Sequence, residues 1–567
     1  MKVKLPKDLS GVKFPEVCVI EMNNFDIDLF LPPLFYTILS HGHGKAIRAN
    51  DPKDIKGYIQ SLAMHPTLQG FDDAAGRRVL ERLVRTTLIT TGGVGRASKG
   101  EQITAIVPYT LLAHKAGFPE ASSRLRAADT FIYQALRNKM GRADDNLQRA
   151  IEEIFGRGVN IGKMLDLGGE YDGVTELDTI TRLSIAFLDG FKNTRMGSRQ
   201  EKSVEPACPA LANELATDLL RFLFEYYKRM PIQAFTYNLL ALINFELFNY
   251  TLKLVYAVNE LVRKPEILPL AMRDTLHSSP PQVYLDFTND ARSYSHEMAK
   301  ACVRRDVEAY QQYLPSVLRL RLLDRYVDQL SRNPSRRAKL QAILDGTTSG
   351  PLYLQKLLKL LEDPSLEVYV EAQAGMDEEH IREQNELHDE DVDSQENEEN
   401  LAWLEDIAGT AETNIERVVN LLVEGQRDNA ITHFISWYYG VGGIKKPHGI
   451  LRGNTNRQSW CYAPTNDLLA VLVQVAAARI SNQGEELRPI RLQEFLTFLE
   501  EHHGILIDRP PELFRGAEYI AAARENLRAM LSRLRQMGIF RDLSDDFTVQ
   551  RLHPPYAMAD AARGEKR

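Results

Sequence analysis

NLRAMLSRLRQMGIFRDLSDDFTVQRL, residues 526–552, joins an amphipathic helical pattern to a hairpin pattern. At 100° per residue, Leu527, Met530, Leu531, Leu534 and Met537 fall on one face, so the stretch predicts a helix over 519–537. Gly538 ends it, because a residue without Cβ accepts the left-handed C-cap. Two short strand-like runs then flank the polar turn Ser544-Asp545-Asp546, a hairpin signal. Working back, LQEFLTFLEEHHG (492–504) predicts a second helix with Phe495, Leu496 and Leu499 on one face and Gly504 at its end. Thr465 and Asn466 can cap a further helix whose Leu468, Leu469, Val471, Leu472 and Val475 recur at helical spacing. Three helices followed by a hairpin describe a winged-helix domain over 462–567.

The rest of the chain divides around its charge. The formal net charge of -8 is concentrated between Met376 and Asn400, where twelve acidic residues and one basic residue give -11 and leave +3 elsewhere. Such a segment has little apolar surface to offset ordering entropy, so 372–400 is expected to be a flexible acidic linker. As an alternative role, it can mimic nucleic-acid charge and cover a basic surface. Before it, residues 1–371 read as an irregular helical body. Helical patterns recur at 77–88, 147–155, 211–229, 232–263, 291–313, 316–331 and 352–361, without a fixed repeat period. VCVIEM and FDIDLFL near the amino terminus cluster apolar residues in strand fashion, which predicts a small β element interrupted at Pro32-Pro33. Residues 401–461 form a connecting segment that is helical, then aromatic and basic. The fold class is therefore mainly α.

At 567 residues, with 44% hydrophobic and 26% charged residues, the chain exceeds one compact core and belongs to the globular class. The amino terminus lacks the apolar run of a secretory signal. The most membrane-like run, 238–258, contains Glu246 and Lys253, which suits a buried core helix better than a lipid-spanning one. Cys18, Cys208, Cys302 and Cys461 lie too far apart for a paired ligand motif, and a disulfide framework is not expected. These features point to a cytoplasmic protein with no membrane association.

Cations mark the candidate binding residues. On the last helix Arg524, Arg528 and Arg535 fall within roughly 40° of one another, a stripe suited to phosphates or to guanine edges in a major groove. Arg541 and Arg551 on the hairpin strands can add backbone contacts. Lys445, Lys446 and Arg452 lie among glycines, together with Arg457, near Trp437 and Trp460; Trp403 begins the same block. Cations beside aromatics suit stacking and phosphate contact, but the tryptophans are better read as packing groups. About four phosphate contacts would give a logarithmic salt slope near -3.6. Against double-stranded DNA stand the acidic turn at Asp545 and Asp546 and the long segment GILIDRPPELFRGA before the third helix. Winged helices also dock proteins, and that reading stays open.

Signals for chemistry are weak. TTGGVGRASKGEQ (90–102) has Glu101 and Gln102 where a Walker loop needs Lys and a hydroxyl, although Arg96 and Lys99 can touch a backbone. His41 and His43 lack a third ligand nearby, and Lys300 stands where a zinc-protease helix beginning at His296-Glu297 needs its second histidine. Asp286, Asp290 and Glu297 can suggest a nuclease metal pair, yet Asp290 also suits a helix N-cap before Ala291. The sequence therefore gives no catalytic residue, no metal site and no cofactor, and the expectation is a non-enzymatic protein.

YAPTNDLLAVLVQV (462–475), LQEFLTFLEEHHGILI (492–507) and NLRAMLSRLRQMGIFRDLSDD (526–546) resemble the carboxy-terminal region of helical accessory proteins of bacterial phage defence. PPQVYLDFTNDARSYSHEMAKACVRRDVEAY (280–310) adds to the similarity, which is to the helical component of a methylation-associated defence system. The resemblance implies protein partners that supply the chemistry, an ATPase or a nuclease, with a methyltransferase marking self DNA. Together with the predicted winged helix, this gives the reading of an adaptor whose body docks such a partner and whose winged helix contacts DNA or another subunit. The alternatives are a winged-helix transcriptional regulator of its own operon and a divergent metal-dependent nuclease using Asp286 or Glu297.

Overall fold

Apolar residues recurring three and four apart make this a mainly α protein, and a computed structural model shows how the helices assemble. It describes residues 3–45, 55–93, 101–115, 125–141, 144–161, 169–191, 196–200, 204–273, 281–386, 394–409, 411–481, 487–541 and 550–557. The helices that position the candidate sites are α1 (Leu31–Leu39), α2 (Pro209–Tyr226), α3 (Ile232–Arg263), α4 (Tyr294–Leu330), α5 (Pro364–Asn385), α6 (Asn414–Gly442), α7 (Asn466–Ile480), α8 (Leu492–Phe498) and α9 (Ala517–Gln536). Two-residue strands tie them: β1 (Val283–Tyr284), β2 (Leu451–Arg452), β3 (Cys461–Tyr462), β4 (Ile490–Arg491), β5 (Ile505–Leu506) and β6 (Arg551–Leu552).

The run that reads as a buried helix is one. Along α3, Leu242, Leu247, Leu254 and Val258 are fully buried, and so are Glu246 and Lys253. Helices α2, α4 and α6 pack around it. Among the described residues no helix is long and apolar enough to cross a membrane. All four cysteines are buried and free.

Several expectations are corrected. The strands read in VCVIEM and FDIDLFL are absent; Ile27–Leu29 is a 3-10 turn and α1 begins at Leu31. Pro32 and Pro33 start this helix instead of interrupting it. In the first turn their missing N–H groups have no intrahelical partner to lose, and their fixed φ already suits the helix. The amino-terminal strand that does form, His43–Lys45, pairs antiparallel with Met196–Gln200. The two helices read at 291–313 and 316–331 are the single α4, which runs through Pro315. An interior proline costs about 3 kcal/mol, and burial of Tyr313, Leu314, Val317 and Leu318 on both sides offsets it. Its N-cap is Ser293, whose Oγ accepts from His296 N; Asp290 closes the preceding turn on Arg292 N.

The acidic segment is ordered at both ends. α5 continues to Asn385, and a further helix occupies Ser394–Ala408; residues 387–393 lie outside the described ones. Leu366, Val370, Ala374 and Ile381 give α5 an apolar face that the charge count hides. Two of its carboxylates are paired: Asp377 accepts from Tyr326 Oη at 3.0 Å and from Arg325, and Glu378 binds Arg417. Local pairing holds these two, while Glu379 and Glu383 face solvent.

The carboxy-terminal helices form where the sequence places them. Thr465 Oγ1 accepts from Leu468 N at the start of α7. α8 passes into a π turn, Leu499–His503, closed by Gly504 at φ 72°, and Gly538 follows α9 at φ 73°. β4 pairs antiparallel with β6, and Phe540 bridges Leu552. The turn at Asp545 and Asp546 lies outside the described residues. The helices are also built into the body. β5 pairs in parallel with β1, and Tyr226 Oη donates to the Gln474 carbonyl. Buried Asn526 accepts from Phe287 N at 2.7 Å and donates to the carbonyls of Leu285 and Ile507. One contiguous apolar core runs from Val3 to Leu552.

Candidate nucleic-acid interface

α9 presents its apolar face inward through Leu527, Met530, Leu531 and Leu534, which sets the arginine stripe outward. Arg524 and Arg528 are exposed and enter no ion pair among the described residues. Arg535, about two turns beyond Arg528, is also exposed, with its guanidinium 5.1 Å from the centre of the Phe540 ring. From Arg524 to Arg535 the stripe extends about 16 Å at 1.5 Å per residue. Arg541 and Arg551 are exposed near the strand pairing; Arg541 Nε donates to the Gly538 carbonyl at 3.1 Å.

The remaining cations meet in a cleft beside α9. Its volume is about 700 Å³, and Lys445, Lys446, Arg452, Arg533, Thr465 and Gln536 contribute to its walls. Glycine contacts fix the backbone that carries Lys445 and Lys446. Gly443 ends α6 at φ 66°, and a Cβ on Gly449 would stand 2.2 Å from the Gly443 carbonyl oxygen. This close approach is a packed corner, so the glycines among which Lys445 and Lys446 lie are fixed in place. Lys445 is exposed at φ 63°, whereas Lys446 is drawn to Asp28 and Asp26. Burial works against its charge, but those two carboxylates raise its pKa above the usual lysine value. Arg452 donates to Asn289 Oδ1 and lies 3.6 Å from the buried Asp286.

Arg533 is the residue that stripe reasoning missed. It lies roughly 180° from Arg524 around the helix, on the side of the cleft. Its guanidinium donates to the carbonyls of Pro464 and Phe287 and to Asn289 Oδ1, at 3.2, 3.0 and 2.8 Å. Burial, then the neighbouring Arg452, lowers its pKa below the ordinary arginine value. The capped amino terminus of α7 opens on the same cleft and adds the partial positive charge of its free N–H groups. Cations in and beside this cleft suit an oxyanion ligand such as phosphate.

Asp286, Asp290 and Glu297 do not converge. Asp286 accepts from Thr288 and Ser295, Asp290 caps a turn, and Glu297 accepts from Tyr519 Oη. Trp437 and Trp460 are buried packing groups that donate to Thr251 Oγ1 and to the Asn454 carbonyl; Trp403 packs partly buried against the core. Arg96 and Lys99 lie outside the described residues.

With this geometry in hand, comparison with known families gives a match over residues 7–556 to the model described as Methylation-associated defense system protein MAD7. The chain belongs to that family. It is therefore a protein of a defence system, as the resemblance in residues 280–310 and 462–546 implies. No curated protein and no solved structure matches the chain.

Proposed function

We propose that the chain is a non-enzymatic adaptor of a bacterial phage-defence assembly, which holds duplex DNA against α9 and positions a partner ATPase or nuclease there. The observation that carries this reading is the exposed stripe of Arg524, Arg528 and Arg535 along α9; the cleft with Lys445, Lys446, Arg452 and Arg533 lies on the other side of the same helix. The order α7, β4, α8, α9, Phe540 and β6, with β4 and Phe540 both paired to β6, supports a winged-helix-type arrangement in which α9 is the reading helix. Family membership supports a setting in which other components supply the chemistry.

Duplex binding measured by fluorescence anisotropy between 50 and 200 mM salt tests the contact. About four phosphate contacts give a logarithmic slope near -3.6, an affinity loss of roughly a hundredfold over that range. Arg524→Ala, Arg528→Ala and Arg535→Ala together should reduce the slope by about 2.7 and weaken all duplexes alike. Binding that is unchanged in this variant removes α9 from the interface. Tight preference for one sequence by a symmetric dimer would favour the alternative, a regulator of its own operon.

A further inference from the structure

Glu246 lies in the middle of an apolar helix, where an isolated charge is costly. It does not lie alone. Asp218 of α2 and His503, the last residue of the π turn after α8, meet it in the core, with potential ligand atoms all within 4.8 Å of one another. Asp218 Oδ1, Glu246 Oε1 and His503 Nε2 are buried and make no hydrogen bond. They border an internal space of about 10 Å³, which Glu214, Asn249 and His502 also line. That is room for about one water or ion. Arg479 Nη1 stands 3.2 Å from Asp218 Oδ1, and Lys253 Nζ donates to the His502 carbonyl at 2.9 Å. The carboxylates of Glu214, Asp218 and Glu246 outnumber these two cations.

We propose that Asp218, Glu246 and His503 bind one divalent transition-metal ion of the Zn²⁺ class, which pins the carboxy-terminal helices to α2 and α3. A proton shared between the two carboxyls serves one oxygen pair and leaves His503 Nε2, 3.7 Å from Asp218 Oδ2, without a hydrogen bond. One ion serves all three atoms. The imidazole selects Zn²⁺ and its neighbours over Mg²⁺ or Ca²⁺, which take oxygen ligands. Asn249 is placed to support it, since its amide lies 3.3 Å from His503 Nδ1. With the amide oxygen turned to that nitrogen it accepts Nδ1–H, and the Nε2 lone pair faces the carboxylates, the usual support of a ligating histidine. The π turn, a departure from regular helix that recurs at functional positions, sets His503 inward.

The test uses the full chain, stripped with chelator, loaded with Zn²⁺ and washed. Elemental mass spectrometry should find about one ion per chain, as a single three-ligand site requires, and Zn²⁺ should raise Tm. Glu246→Gln and His503→Gln should each weaken Zn²⁺ binding by at least about 100-fold with the helical circular dichroism kept, and Asn249→Ala by about 10- to 100-fold. If the core variants do not fold, Co²⁺ loaded into the unaltered chain decides: intense visible bands of a four-coordinate ion support the site, and the weak spectrum of the hydrated ion overturns it. A folded chain that retains no Zn²⁺, or variants that retain it undiminished, likewise overturns the proposal and leaves a shared proton as the account of the cluster.

Discussion

His448 shows what one buried ring does when neither nitrogen finds a hydrogen bond. Burial lowers its pKa below the ordinary 6.5; Lys446 adds to the effect, while Asp28, Asp467 and Asp26 oppose it. Tyr237, its ring edge-on, completes the surroundings. The unfolded chain therefore takes up a proton below pH 6.5 that the folded chain refuses, so stability is lost as pH falls through that value. Denaturant melts should show His448→Gln losing less stability between pH 6.5 and 5.5 than the unaltered chain, by at most about 1.4 kcal/mol. Parallel pH curves for the two proteins would remove the effect. At this scale the sequence is legible where one residue acts locally: Thr465, Gly504 and Gly538 do what their positions imply. It is illegible where a role depends on distant partners. Arg533 lies off the arginine stripe and gains its place from Pro464 and Phe287, and the meeting of Asp218, Glu246 and His503 has no local spacing to announce it.

Helices with an apolar face were readable, and α3, read as 232–263, has those bounds. Charge and proline gave the misleading signals. In α5 a carboxylate-rich sequence conceals apolar residues at helical spacing, and in α4 tertiary burial outweighs a proline that would end an isolated helix. The corner between α6 and β2 is an element whose shape rests on missing side chains. Gly449→Ala places a Cβ against the Gly443 carbonyl, with no flexible group to yield, and should destabilise the protein by about 1–3 kcal/mol. Because Lys445 and Lys446 ride on this corner, the same variant should also weaken duplex binding. A melt within about 0.5 kcal/mol of the unaltered protein would show the corner to be pliable.

Over the whole molecule, the carboxy-terminal helices share the core of the body. α7 contacts α2 and α3, and β5 completes its pairing only with β1. A fragment beginning at Tyr462 would expose the apolar surfaces of those contacts, so thermal circular dichroism should show no cooperative transition in it. A sharp melt of the fragment would instead establish an independent unit. The order of the helices was legible in the sequence because each carries its own caps and periodicity, whereas the pairing of β4 with β6 was not, since the hairpin pattern sought both strands after α9. Their attachment was not, because β1 and the Asn526 contacts are made by segments that look like loops from either end.

That attachment bears on how the protein is made. The Phe287 amide waits for Asn526, 239 residues later in the chain. At about 5–20 residues per second, translation takes roughly 12–48 s to deliver that side chain. During the interval the nascent polypeptide carries an unpaired β1 and uncovered apolar surface on α2 and α3, a period of vulnerability to aggregation for which chaperone capture is a natural remedy. Slowing the ribosome across that interval should therefore reduce soluble yield, even though no amino acid has changed.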